Sequence, residues 1–239
     1  MIIYSPPGKM FLAKAEFIDG RLNIMKKSNK TIFISVALLA AFILWTVLVC
    51  VFDVRLIGTE NSKVGFATLN SLFHSFTGVN MSLYTITDYL GLVPLAFAAG
   101  FALLGLMQWI KRKSIFNVDF SILVLGGFYI LTIACFIFFE FFVINYRPVL
   151  INGNQEASYP SSTTLLVMCV MPTAIMQLST RIKNKILKKC AFLLISAFLL
   201  FMVIARLFSG VHWLSDIVGG ALLSSGLVML YHWVSKLKC

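Results

Sequence analysis

Residues 31–52 read TIFISVALLAAFILWTVLVCVF, 22 consecutive positions without an Asp, Glu, Lys or Arg. As a helix this run would rise about 33 Å at about 1.5 Å per residue, which matches the roughly 30 Å hydrocarbon core of a bilayer. Five further runs, mostly apolar and free of the same four residue types, cover 89–110, 120–139, 157–180, 190–205 and 217–235. The expected fold class is therefore all-α, a polytopic membrane bundle of six transmembrane helices over 31–235. Tails at 1–30 and 236–239 flank it.

Residues 64–87 are also uncharged, but Thr68, Asn70, Ser71, His74, Ser75, Thr77, Asn80, Ser82, Thr85 and Thr87 interrupt them. That pattern predicts an interfacial or re-entrant segment, not a seventh span. The first 24 residues lack an apolar run, so neither a signal peptide nor a helix is expected there. Met25-Lys26-Lys27, just ahead of the first span, reads as an alternative start.

Composition agrees with the spans. Of 239 residues, 59% are hydrophobic and 12% charged, and the mean hydropathy is +0.92, whereas an ordinary globular chain carries about 25% charge. These values exclude a soluble domain, a disordered chain and a collagen. Cys50, Cys135, Cys169 and Cys190 lie in or beside apolar runs, so no disulfide framework is expected.

The net charge of +11 is explained by topology. With six spans and both termini cytoplasmic, the cytoplasm receives Lys9, Lys14, Arg21, Lys26, Lys27, Lys30, Lys111, Arg112, Lys113, Arg181, Lys183, Lys185, Lys188, Lys189, Lys236 and Lys238, sixteen of the 20 cations. Positive charge accumulates on that side of membrane proteins. A seventh span at 64–87 would move Lys111, Arg112 and Lys113 outside. Membrane lipids are the partner these charges suit, and no nucleic acid is expected.

Among the four outer cations, Arg147 and Arg206 matter most. Arg147-Pro148 follows the third span, Pro160-Ser161-Ser162-Thr163 opens the fourth, and Arg206 closes the fifth, six residues before His212 and ten before Asp216. Taken singly, Ser161 to Thr163 read as helix caps, Asp216 as a first-turn carboxylate and His212 as an interfacial histidine. Together they bring two guanidiniums, a hydroxyl cluster, an imidazole and a carboxylate to one outer layer. That set suits phosphoryl transfer. Arginine forks bind phosphate oxygens, and N–H groups at Ser161, Ser162 and Thr163 would add an anion site at a helix start. Asp216, four residues after His212, would share its helix face and fix its tautomer, leaving the other ring nitrogen to attack phosphorus. No metal or other cofactor is expected, because the three histidines are dispersed and acidic residues are few at these helix ends.

These residues resemble the type 2 phosphatidic acid phosphatases (PAP2), whose site is shared with vanadium haloperoxidases and whose motifs read KxxxxxxRP, PSGH and SRxxxxxHxxxD. The third is matched from Ala205-Arg206 through His212 to Asp216, lacking only its leading Ser. The resemblance implies His212 as nucleophile, Asp216 as its orienting partner, and Arg147, Ser161 and Arg206 as phosphate ligands. Two positions depart from it. Glu140 stands where the first motif has its lysine. Thr163 stands where the second has its histidine, the acid that protonates the leaving oxygen, and Ser162 replaces the glycine.

The expected function is hydrolysis of a phosphorylated lipid at the extracytoplasmic face through a phosphohistidine, with a lipid diphosphate such as a polyprenyl diphosphate favoured and phosphatidic acid as a further substrate. The alternative is a weak or inactive relative that binds or moves such lipids, with haloperoxidase activity a minor third. His74, in the outer segment, is the candidate for the missing acid, with an interfacial histidine in an amphipathic stretch as its plainer reading. Sequence leaves the oligomeric state open.

Overall fold

The computed structural model describes residues 7–237, with side chains from residue 29 onward. Among the described residues it is α-helical apart from one two-stranded sheet and irregular connections, with six helices long and apolar enough to cross a membrane. The first helix, α1, covers Pro7–Val51. β1 (Arg55–Leu56) and β2 (Lys63–Val64) form the hairpin, followed by α2 (Ala67–Thr77), α3 (Met81–Leu90) and α4 (Leu92–Arg112). Then come α5 (Phe120–Phe141), α6 (Ser162–Arg181), α7 (Lys185–Phe208) and α8 (Leu214–Ser235).

Three boundaries differ from the sequence expectation. Residues 7–24, expected to be non-helical, continue α1 toward the N-terminus. They contain many good helix formers, and extending a helix already nucleated by an apolar span adds one hydrogen bond per residue fixed. The second span starts at Met81, not 89, and runs to Arg112 over 32 residues. The last part of the segment expected to be interfacial or re-entrant is thus the head of that span, and only its first part forms the separate helix α2. The chain breaks between α3 and α4 at Gly91, because Pro94 has no N–H to donate to the carbonyl four residues back. The fourth helix starts at Ser162, not 157, capped by the Ser161 side chain. The tails expected at 1–30 and 236–239 lie in part outside the described residues, as do the side chains of Met25, Lys26 and Lys27.

α6 and α8 form the centre of the bundle. Half of the most apolar stretch of each is buried, against 11 to 22% for the other four spans. α8 achieves this with small residues, which let backbones approach closely where no hydrophobic effect drives helices together. A Cβ on Gly226 would meet the Leu39 side chain of α1 at 2.7 Å, and Ser35 Oγ donates to the Gly226 carbonyl at 2.8 Å. The exposed Phe33, Ile43, Leu106, Ile130 and Leu194 form the apolar exterior that such a bundle presents to lipid.

Alternating passes bring the C-terminal ends of α1, α5 and α7 and the starts of α6 and α8 to one end of the bundle, where α2, α3 and the β1–β2 hairpin also gather. At the opposite end, Asp119 pairs with Arg112 at 2.9 Å and with Arg181 at 3.6 Å, tying the α4–α5 turn to α6.

Candidate active site

Between α5 and α6 the chain makes an irregular hairpin. Ser158 N donates to Asn145 O at 2.9 Å and Arg147 N to Glu156 O at 3.1 Å, so the paired residues share one side at a spacing of two. The turn is Asn152-Gly153, both with positive φ, a dipeptide suited to that conformation. The β1–β2 hairpin holds this turn from behind through Thr59, whose hydroxyl donates to the Arg147 carbonyl at 3.1 Å.

Asn145 and Ser158 both reach Asp216. Its carboxylate accepts from Ser158 Oγ at 2.5 Å, Trp213 N at 3.0 Å, Asn145 Nδ2 at 3.1 Å and Ser215 Oγ at 3.4 Å. The Asp216 carbonyl in turn accepts from Ser161 N at 3.1 Å. The fully buried Asp216 therefore joins the hairpin, the start of α6 and the start of α8. α2 secures the same corner through Asn70, which exchanges hydrogen bonds with Ser215 at 2.9 and 3.1 Å.

His212 lies in the loop ahead of α8, not on a shared helix face with Asp216 as its spacing suggests. Its ring is 1% exposed and its Nδ1 stands 4.0 Å from Asp216 Oδ2, too far for a hydrogen bond. Ser158 fills the gap, with its Oγ 3.0 Å from Nδ1. Burial, then the charges of Arg147 and Arg206, hold the imidazole well below its ordinary range, so it is neutral near pH 7. His212 Nε2 has no hydrogen-bond partner although it is buried.

Both arginines are buried around the ring of Tyr84 on α3. Arg206 Cζ lies 4.6 Å and Arg147 Cζ 5.8 Å from its centroid. Arg206 donates to Thr87 Oγ1 at 3.2 Å and comes within 4.0 Å of Asp88. Arg147 pairs with Glu156 at 3.2 Å. Arg147 Nε and Nη1 and Arg206 Nε remain buried without partners, an arrangement that is costly unless a ligand completes it.

The structure brings Arg147, Ser161, Arg206, His212 and Asp216 to one corner of the bundle, but not all in the expected manner. Ser161 caps α6, accepting from Thr164 Oγ1 at 3.1 Å, and its N–H is already committed to Asp216. Ser162 lines a cavity of about 160 Å³ together with Glu140, Arg147, Glu156 and Ser158. Thr163 instead faces a mainly apolar cavity of about 350 Å³ with Asp88, Leu92, Leu95, Ile133 and Leu166, which also includes Ser162. His74 lines neither of these cavities, and its Nε2 contacts the Gly210 carbonyl at 3.1 Å. Among the described residues, no three His, Cys, Asp or Glu side chains gather as a metal site.

Sequence reading missed Tyr84, Thr87, Asp88, Asn145, Glu156 and Ser158. Two signals were present. Asn145 and Arg147, like Glu156 and Ser158, alternate across an Asn-Gly turn, and Tyr84, Thr87 and Asp88 have the spacing of one helix face.

No curated protein matches the chain. It is similar to the crystal structure of the first transmembrane PAP2 type phosphatidylglycerolphosphate phosphatase from Bacillus subtilis, with 18% identity over 83% of this chain and 94% of that one, at a TM-score of 0.49. Residues 141–238, the stretch that holds Arg147, Ser161, Arg206, His212 and Asp216, match the family model described as the PAP2 superfamily.

Proposed function

We propose that this chain is a PAP2-type membrane hydrolase that cleaves a phosphorylated lipid at the extracytoplasmic face through a phosphohistidine on His212. The observation that carries the reading is the set of buried nitrogens without partners on Arg147, Arg206 and His212. Phosphate oxygens would complete the guanidiniums, and phosphorus would then lie before a neutral Nε2. Nε2 attacks phosphorus, and the bond to the leaving oxygen breaks with its electron pair going to that oxygen. Water then hydrolyses the N–P bond. The arginines neutralise charge developing on the equatorial oxygens.

Substrate preference follows from the leaving group. With Thr163 in the acid's position, an alkoxide would have to depart with no proton donor of matched acidity, and general acid catalysis is worth about 10² to 10⁴ in rate. A lipid diphosphate attacked at its outer phosphorus expels the lipid monophosphate, whose second pKa is about 6, and it needs no such help. The reading therefore favours a lipid diphosphate, with phosphatidic acid a slower substrate. The apolar cavity beside Thr163, between α4, α5 and α6, suits an acyl or prenyl chain.

Purified protein in nanodiscs, assayed for phosphate release from prenyl diphosphate and phosphatidic acid, tests this. His212→Ala should lower release by about 10³-fold or more. Equal release from wild type and His212→Ala would refute the nucleophile. A second reading, a protein that binds such lipids without turnover, is favoured by one observation: Glu140 lines the cavity next to an Arg147 already paired with Glu156. Saturable binding of the diphosphate without phosphate release would select it.

A further inference from the structure

A serine hydroxyl has one proton to give. Each Asp216 oxygen is approached by two donors, Trp213 N and Ser158 Oγ at Oδ2, Asn145 Nδ2 and Ser215 Oγ at Oδ1. This set of four fits an ionised carboxylate. Ser158 Oγ donates to Oδ2 at 2.5 Å, which commits its single proton to the carboxylate. The 3.0 Å contact between Ser158 Oγ and His212 Nδ1 then has only the ring N–H left as its donor.

We infer that Ser158 is the positioning residue for His212: it accepts the Nδ1 proton, donates its own to Asp216, and so holds the imidazole as the Nδ1–H tautomer with the Nε2 lone pair toward the two arginines. The inference rests on the hydrolase reading for its catalytic meaning and deepens it by adding a residue that neither the spacing of His212 and Asp216 nor the third motif contains. When Nε2 forms its bond to phosphorus, the Nδ1 proton stays on the ring. The positive charge on the ring is then felt by Asp216 through one hydroxyl, across the 4.0 Å that separates the charged groups. The hairpin backbone sets this geometry, because Ser158 N is bound to Asn145 O at 2.9 Å and the Asn145 side chain holds the other Asp216 oxygen.

The tautomer is directly observable. The full chain labelled with ¹⁵N-histidine contains three histidines, and the His212 signals are assigned by their loss in His212→Ala. Wild type should show Nδ1 protonated and Nε2 bare at neutral pH, a measurement that requires neither activity nor a Ser158 variant. Ser158→Ala should give a mixture of tautomers, and Ser158→Thr, which keeps the hydroxyl, should restore the single form. In the phosphate-release assay Ser158→Ala should lower kcat about 10- to 100-fold, the scale of loss when the outer hydrogen-bond partner of a metal-bound histidine is removed, with KM within about threefold and most of kcat regained in Ser158→Thr. A His212 protonated at Nε2 in wild type, or a Ser158→Ala protein with an unchanged tautomer, would overturn the inference. Absence of phosphate release from wild type would instead refute the hydrolase reading and leave the tautomer measurement to decide the role of Ser158.

Discussion

Gly210 and Gly78 meet backbone to backbone: a Cβ on Gly210 would lie 1.8 Å from the Gly78 carbonyl oxygen. The contact joins the loop carrying His212 to the turn between α2 and α3, reinforced by Asn80 N donating to Ser209 O at 2.9 Å. Gly210 also has φ +67°, a conformation that costs an L-residue roughly 1–2 kcal/mol.

Gly210→Ala should therefore do more than strain one residue. It must push α3 away from the His212 loop, displacing Tyr84 and Thr87 from Arg206. Gly153→Ala is the matched control, since φ is +78° there but nothing lies within 4 Å. We expect Gly153→Ala to lose about 1 kcal/mol and keep its activity, and Gly210→Ala to lose at least about tenfold in phosphate release with a larger fall in Tm. Indistinguishable variants would show that the close approach has no energetic weight.

The neutral state of His212 predicts the pH response. The free protein keeps a deprotonated Nε2 below pH 6.5, so on the hydrolase reading the acid limb of kcat/KM assigned to His212 should fall below that value. Arg147→Gln removes one of the two opposing charges and should move this limb upward. Stability follows the same linkage. The unfolded chain takes up a proton at this histidine near pH 6.5 and the folded chain does not, so the contribution of neutral His212 is intact above about 6.5 and falls by about 1.4 kcal/mol per pH unit down to its folded pKa. A wild-type Tm that drops on acidification below 6.5, with a smaller drop in His212→Ala, is the expected result.

Leaving-group chemistry makes Thr163 testable. Thr163→His should raise hydrolysis of phosphatidic acid by about 10-fold or more and change diphosphate hydrolysis little. Should both rates stay as in wild type while phosphatidic acid is already cleaved as fast as the diphosphate, another group supplies the proton.

The distribution of cations predicts sidedness. In a background without native cysteines, Asn154→Cys should react with an impermeant thiol reagent added outside intact cells and Lys185→Cys should not. The reverse pattern would invert the bundle.

The separation between what could be read from the chain and what could not has a physical basis. Span number is a sum over about 20 residues and survives local errors, so six apolar runs were enough to anticipate six helices. The spacing of Arg206, His212 and Asp216 lies within one α7–α8 junction and was also visible. Ser158, Asn145 and Tyr84 are isolated polar residues in segments with no strong period, and their role depends on contacts across 58, 71 and 122 positions respectively. Met81 to Thr87 misled for a different reason: hydroxyl side chains lower hydropathy, yet Thr85 and Thr87 satisfy themselves on helix carbonyls of the preceding turn and so enter a span at little cost.

The many duties of Asp216 determine how an inactive reference protein should be made. Its carboxylate caps the first turn of α8 and fastens the hairpin, while its carbonyl holds the start of α6, so an Asp216 variant that lost activity would report damaged architecture and lost chemistry in one signal. His212 Nε2 has no such structural obligation. Substitution there separates the two, and any comparison of binding with turnover should be anchored on His212.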